Sequence, residues 1–201
     1  MFDVQAITRL HRDTVQQWHE TKIANPYEGY LALVCRQHEQ NFRLWHEEDI
    51  ARSPDASDAQ LAQVKRNIDR YNQRRNDLIE ALDACLIELL AAGGVRPDAD
   101  APLNTETPGS AVDRLSILAL RIFHMHEQAD RTDAEAAHRE KARQRLDVLH
   151  QQRGDLARSL AALLDELATG RRRLKVYHQF KMYNDPTMNP YLYSARGKSA
   201  A

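Results

Sequence analysis

The chain has 201 residues, 42% hydrophobic and 28% charged, with a formal net charge of -1. Its seven glycines and seven prolines are too few for a sandwich or barrel, which needs turn residues every ~10 positions. Composition also excludes collagen-like and disulfide-stapled classes, and no apolar run approaches the ~18 residues that span a bilayer.

The scarce breakers fall in clusters, and between them apolar residues recur at three and four, the period of amphipathic helices. The first helix is predicted over residues 4–24, with Asp3 as N-cap and Phe2 and Ile7 as a hydrophobic staple. A second follows Pro26 and Gly29 over residues 28–52. A third begins after Ser57, where Ser57 and Gln60 have the spacing of a capping box, and ends before Gly93 and Gly94. Thr107 and Pro108 open a fourth as N-cap and first helical residue. A second capping-box spacing, Thr132 to Glu135, opens a fifth that runs to about Thr169, before Gly170. Asn184 to Pro186 and Asn189-Pro190 read as turns, and residues 174–183 have no clear state.

The third helix carries Leu61, Val64, Ile68, Tyr71, Arg75, Leu78, Leu82, Cys85 and Leu89 as a seam. The fifth carries Ala142, Leu146, Leu149, Arg153, Leu156, Leu160, Leu163 and Leu167. Alternate steps of three and four suit helices packed side by side at a shallow angle. The expected fold is all-α: an elongated antiparallel bundle of about five helices over residues 1–170, with an ordered C-terminal tail over residues 171–201 packing on it. Such long helices leave surface for a homodimer, although a monomeric bundle satisfies the same pattern. The N-terminus has no basic-then-apolar leader, and Cys35 and Cys85 read as core residues of a reducing compartment, so the expected location is cytoplasmic.

The seams break where function is expected. Arg75 and Arg153 stand at apolar positions, and a buried guanidinium needs a carboxylate, an anion or water. Beside Arg75 lie Asp69, Asn72, Asn76 and Asp83, while the second helix shows His38, Asn41, Trp45, Glu48 and Asp49 along one face. These groups form either a polar pocket between the second, third and fourth helices or a structural network in which Asp69, Glu80 and Asp83 neutralise the arginines. The fourth helix starts with Thr107, Gly109 and Ser110, where free amides and the helix dipole favour an anion, and Asp113 and Arg114 follow. The tail has seven basic residues and one acid, leaving 21 basic and 28 acidic residues before it. It also has five of the thirteen aromatics, so its first half should dock. With no stacking-sheet or zinc signature and an acidic body, the basic tail does not by itself point to nucleic acid.

Residues 38–49, HEQNFRLWHEED, resemble the N-terminal signature of the bacterial domain-of-unknown-function family 4254. Residues 65–83, 104–120 and 179–186 resemble its later blocks, so the likeness spans the chain. It implies an envelope-polysaccharide setting and no activity or catalytic residue that can be carried over. Glu80-Ala81-Leu82-Asp83 has the E-x-x-D form of all-α nucleotide pyrophosphohydrolases, but the companion E-x-x-E on a preceding helix is missing.

These residues lead to an expected site for a small phosphorylated ligand, such as a nucleotide or sugar nucleotide. Asn41, Trp45, Asn72, Arg75, Asn76, Thr107, Ser110, Asp113, Arg114 and Lys181 would bind it. Asp49, Glu80 and Asp83 would hold Mg2+, which takes carboxylate and phosphate oxygens. His38, Asp49 and Asp83 would act as acid–base groups, His38 as general base. The alternative is a non-enzymatic dimeric scaffold that holds a partner through its helices and tail.

Overall fold

A computed structural model describes residues 3–176, 178, 180, 182 and 185–198, the side chains of residues 195–198 excepted. Among them are six helices, α1 (Val4–Glu20), α2 (Gly29–Ala51), α3 (Asp58–Ala92), α4 (Pro108–Asp130), α5 (Ala136–Ala168) and α6 (Pro190–Lys198), and no strand. None of these helices is long and apolar enough to cross a membrane.

Local chemistry sets most of the boundaries. Asp3 caps α1 by accepting from the Gln5 amide at 2.8 Å; Phe2, the other half of the expected staple, lies outside the described residues. The helix stops at Glu20 rather than near Ala24 because Thr21 turns extended, and the Trp18 indole then donates to Ala24 O at 3.2 Å. The capping box of α3 is complete: the Gln60 amide donates to Ser57 Oγ, and the Ser57 amide donates to Gln60 Oε1. The expected box at Thr132 does not form. Arg131 engages the Asp133 carboxylate through Nε at 3.1 Å and Nη2 at 2.7 Å, and Glu135 becomes the N-cap without a side-chain bond. The Asn189-Pro190 pair opens α6 instead of a turn. Asn189 Oδ1 accepts from the Tyr191 amide at 3.0 Å, and proline occupies the first helical position.

The principal pairs are α2 with α3 and α4 with α5, and α1 lies against α4 and α2. At 1.5 Å per residue α3 is about 50 Å long, and its seam is sealed unevenly. Leu78 and Leu82 are buried, while Leu61 and Leu89 at the ends of the seam are exposed. The core joins Ile7, Leu10 and Trp18 of α1 to Val34, Phe42, Leu82, Leu86, Leu115, Leu120, Leu160 and Leu164. Each large aliphatic side chain buried there contributes roughly 1.5–3 kcal/mol. Both cysteines are free, Cys35 buried and Cys85 half-buried. After α5, Gly170 adopts φ 77° where a Cβ would lie 2.7 Å from Arg96 O. That close approach lets the Asp98 amide reach Gly170 O at 2.9 Å and the Arg173 amide reach Pro102 O at 3.0 Å. The linker over residues 94–107 is thereby tied to the start of the tail.

Candidate functional site

The polar face expected on α2 turns inward. Gln37, His38 and Asn41 share one side of that helix, and Asp113 and Ser116 lie one turn apart on α4. Asp113 Oδ1 accepts from Gln37 Nε2 at 2.5 Å and Asn41 Nδ2 at 2.9 Å. Asn41 also donates to Ser116 Oγ at 2.8 Å, and Ser116 Oγ shares a 2.6 Å hydrogen bond with His38 Nδ1. Arg75 Nε stands 3.8 Å from Asp113. Burial raises the Asp113 pKa while Arg75, Asn41 and Gln37 act to lower it.

His38 is fully enclosed and packs against His11 of α1, with ring centroids 4.6 Å apart. Burial depresses the His11 pKa to about 3. Burial, with His11 adding to it, holds His38 well below its ordinary value. Both rings are therefore neutral at pH 7, and both His11 ring nitrogens lack partners. A general base must reach the proton it removes. His38 is closed to solvent and lines none of the three clefts described in the molecule. Asn76 is buried nearby in sequence on α3, and Asn72 is half-buried.

The N-terminus of α4 is already occupied by an anion of the chain's own. Asp83 Oδ1 accepts from the Gly109 amide at 2.7 Å, and Thr107 also bonds its carboxylate. Thr107 Oγ1 accepts from the Ser110 amide at 3.2 Å and lies 3.1 Å from Ser110 Oγ. Pro108 has no amide hydrogen, so the expected phosphate cradle over residues 107–110 is filled. The approach is close enough to require glycine: a Cβ on Gly109 would lie 2.6 Å from Ile79 O and 2.9 Å from the Asp83 carboxyl carbon. Burial raises the Asp83 pKa and these hydrogen bonds oppose the rise. Glu80, one turn earlier, shares a 2.6 Å bond with His178, whereas Asp49 is exposed near the C-terminal end of α2. Among the described residues no three His, Cys, Asp or Glu side chains form a group that could hold a metal ion. The expected Mg2+ set of Asp49, Glu80 and Asp83 is thus not assembled, because Asp83 serves as the cap of α4.

A cluster absent from the sequence expectation lies where α1, α2 and α4 meet. His19, His46 and His124 have ring centroids separated by 5.1, 5.1 and 6.0 Å. His19 stacks on Phe123 at 4.2 Å, and His124 stacks on Trp45 at 4.6 Å. His19 Nδ1 bonds Val15 O, and His124 Nδ1 bonds Glu127 Oε2, both at 2.7 Å. Burial, followed by the neighbouring His19 and His124, lowers the His46 pKa. Trp18-His19, Trp45-His46 and Phe123-His124 are aromatic–histidine pairs in the sequence. That repetition was the available signal, but its convergence depends on three helices and their register.

The groups that remain open to a ligand lie elsewhere, in a cleft of about 960 Å³ between α4 and α5. Thr107 and Arg114 of the expected set line it, together with Arg121, Gln152, Ser159 and Arg172. Arg114 and Arg121 are exposed on one face of α4, two turns apart, and form no ion pair or hydrogen bond with any described residue. Arg172 is held by Glu166 at 2.8 Å. Asn41, Trp45, Asn72, Arg75, Asn76, Ser110 and Asp113 do not line this cleft, and Lys181 lies outside the described residues.

No curated protein and no solved structure matches the chain. The model of the family described as protein of unknown function DUF4254 matches residues 31–176, a span from α2 to the start of the tail that includes α3, α4 and α5, and the chain belongs to that family.

Proposed function

We propose that the protein binds a small phosphorylated ligand, and that the ligand sits in the α4–α5 cleft rather than between α2, α3 and α4. The observation that carries this reading is the pair Arg114 and Arg121, unpaired guanidiniums on a domain whose first 170 residues have more acids than bases. Guanidinium recognises phosphate through paired N–H donors. Two other carboxylates in the cleft are already engaged, Asp155 by Arg158 and Glu166 by Arg172, and so do not cancel the arginines.

Titration with pyrophosphate at low salt tests the reading. The wild type should bind, and Arg114→Gln and Arg121→Gln should each weaken binding at least tenfold, the loss of a charged hydrogen bond being worth about 1.5–3 kcal/mol. Unchanged binding in the double variant would place the site elsewhere.

A second reading has its own observation. Phe180 is 83% and Tyr191 88% exposed, and Met188 and Tyr193 near Tyr191 are also open. Aromatics so placed suit a partner protein or a second copy of the chain, as in a scaffold. Sedimentation equilibrium would support it if Tyr191→Ser reduced self-association, and would count against it if the wild type stayed monomeric.

A further inference from the structure

The character of the cleft floor narrows the ligand beyond its charge. Ile117, Leu156 and Leu163 are half-buried there, Ala162 is exposed, and Leu118 and Leu160 close the floor beneath them. Among the described residues no aromatic side chain lines the cleft. A nucleoside would therefore find no ring to stack on, whereas an aliphatic chain would find a matching surface over α5. Resting on the anion-binding reading above, we infer that the ligand is a phosphate or diphosphate monoester of a single aliphatic chain.

Charge places the two ends. Arg114 and Arg121 are about 10 Å apart along the helix axis, and their long side chains can close on a phosphate lying between them. At the far end Glu106 lines the cleft and has no ion pair among the described residues. That end repels a dianion, so the head group belongs between the arginines, beside Ile117, and the chain runs on over Ala162 and Leu163. The cleft is open along the exposed Gln152, Asp155 and Ser159. A bound chain thus stays partly hydrated on one side.

The test is a calorimetric series of n-alkyl phosphates from butyl to decyl, each below its micelle concentration, alongside inorganic pyrophosphate, ADP and 1-octanol. Complete burial of a methylene would raise affinity about fourfold, and the half-open cleft should give about twofold per methylene. Octyl phosphate should bind far more tightly than ADP or octanol. Ala162→Asn, polar but uncharged at an exposed position of the floor, should weaken the longer alkyl phosphates more than the shorter ones and so flatten the chain-length dependence. Arg114→Gln with Arg121→Gln should abolish binding of pyrophosphate and alkyl phosphates alike.

Equal affinity for pyrophosphate, ADP and every alkyl phosphate would overturn the aliphatic assignment while leaving the anion site standing. Failure of every phosphate to bind would overturn the anion site as well. Octanol binding as tightly as octyl phosphate would show a mere apolar surface and overturn the proposal. Vesicles of phosphatidylcholine with a tenth of phosphatidic acid separate a bilayer headgroup from a free monoester. The protein should stay in the supernatant, and co-sedimentation without binding of the alkyl phosphates would overturn the single-chain site.

Discussion

The most sharply defined residues are the two enclosed histidines. Each is neutral when folded and would take a proton near pH 6.5 when unfolded. A folded-state pKa held below the unfolded one means that the unfolded chain binds more protons on acidification. Their contribution is therefore complete above pH 6.5 and is lost as pH falls from there, for His11 down to about 3. Each unit of pH within that window costs about 1.4 kcal/mol per histidine. Asp83 and Asp113, whose pKa values burial raises, act in the opposite direction, so the comparison must be between variants. His11→Leu removes a ring with no hydrogen bond and should remain folded. Urea midpoints measured at steps between pH 4 and 7 should then show a shallower acid loss than in the wild type. An identical slope would mean that His11 is not the group responsible.

At the level of elements, boundaries written in local chemistry were legible in the sequence. The Ser57–Gln60 box and the Thr107-Pro108 start are local patterns, and both helices begin there. The Thr132 box has the same form, yet α5 begins three residues later with Glu135 as its N-cap. The anion expected at the amides of residues 107–110 comes from the chain itself, for a reason the sequence does not carry. Nothing near Asp83 in sequence says that α3 will deliver its carboxylate to the first free amide of α4. The polar stripe of α2 was legible as a stripe, but whether it faced ligand or core depended on the opposing Asp113 and Ser116. The α3–α4 junction also supplies a test. Gly109→Ala places a methyl within 3 Å of Ile79 O and the Asp83 side chain. Overpacking of this kind costs about 1–3 kcal/mol. Ser57→Ala should cost about 1 kcal/mol through the lost cap. Denaturant unfolding should rank Gly109→Ala at least level with Ser57→Ala, and a neutral Gly109→Ala would contradict the described approach of α3 to α4.

For the whole molecule, the near-zero net charge conceals an acidic helical body and a basic tail. Contacts between them include His178 with Glu80, Arg171 with Asp165 and Arg172 with Glu166, and the start of the tail is tied to the linker by Arg173. The interior polar network and the capped α4 N-terminus consume polar groups that the sequence pattern assigns to a ligand. The cleft along α4 and α5 brings two unpaired guanidiniums, Arg114 and Arg121, to one concave surface. A crystal structure of the protein soaked with octyl phosphate tests that site most directly. A phosphate is expected between Arg114 and Arg121, with the chain over Ala162 and Leu163. A ligand seated instead against Asn76 and Asp113, or in the apolar groove lined by Val4, Ile7 and Leu90, would contradict it.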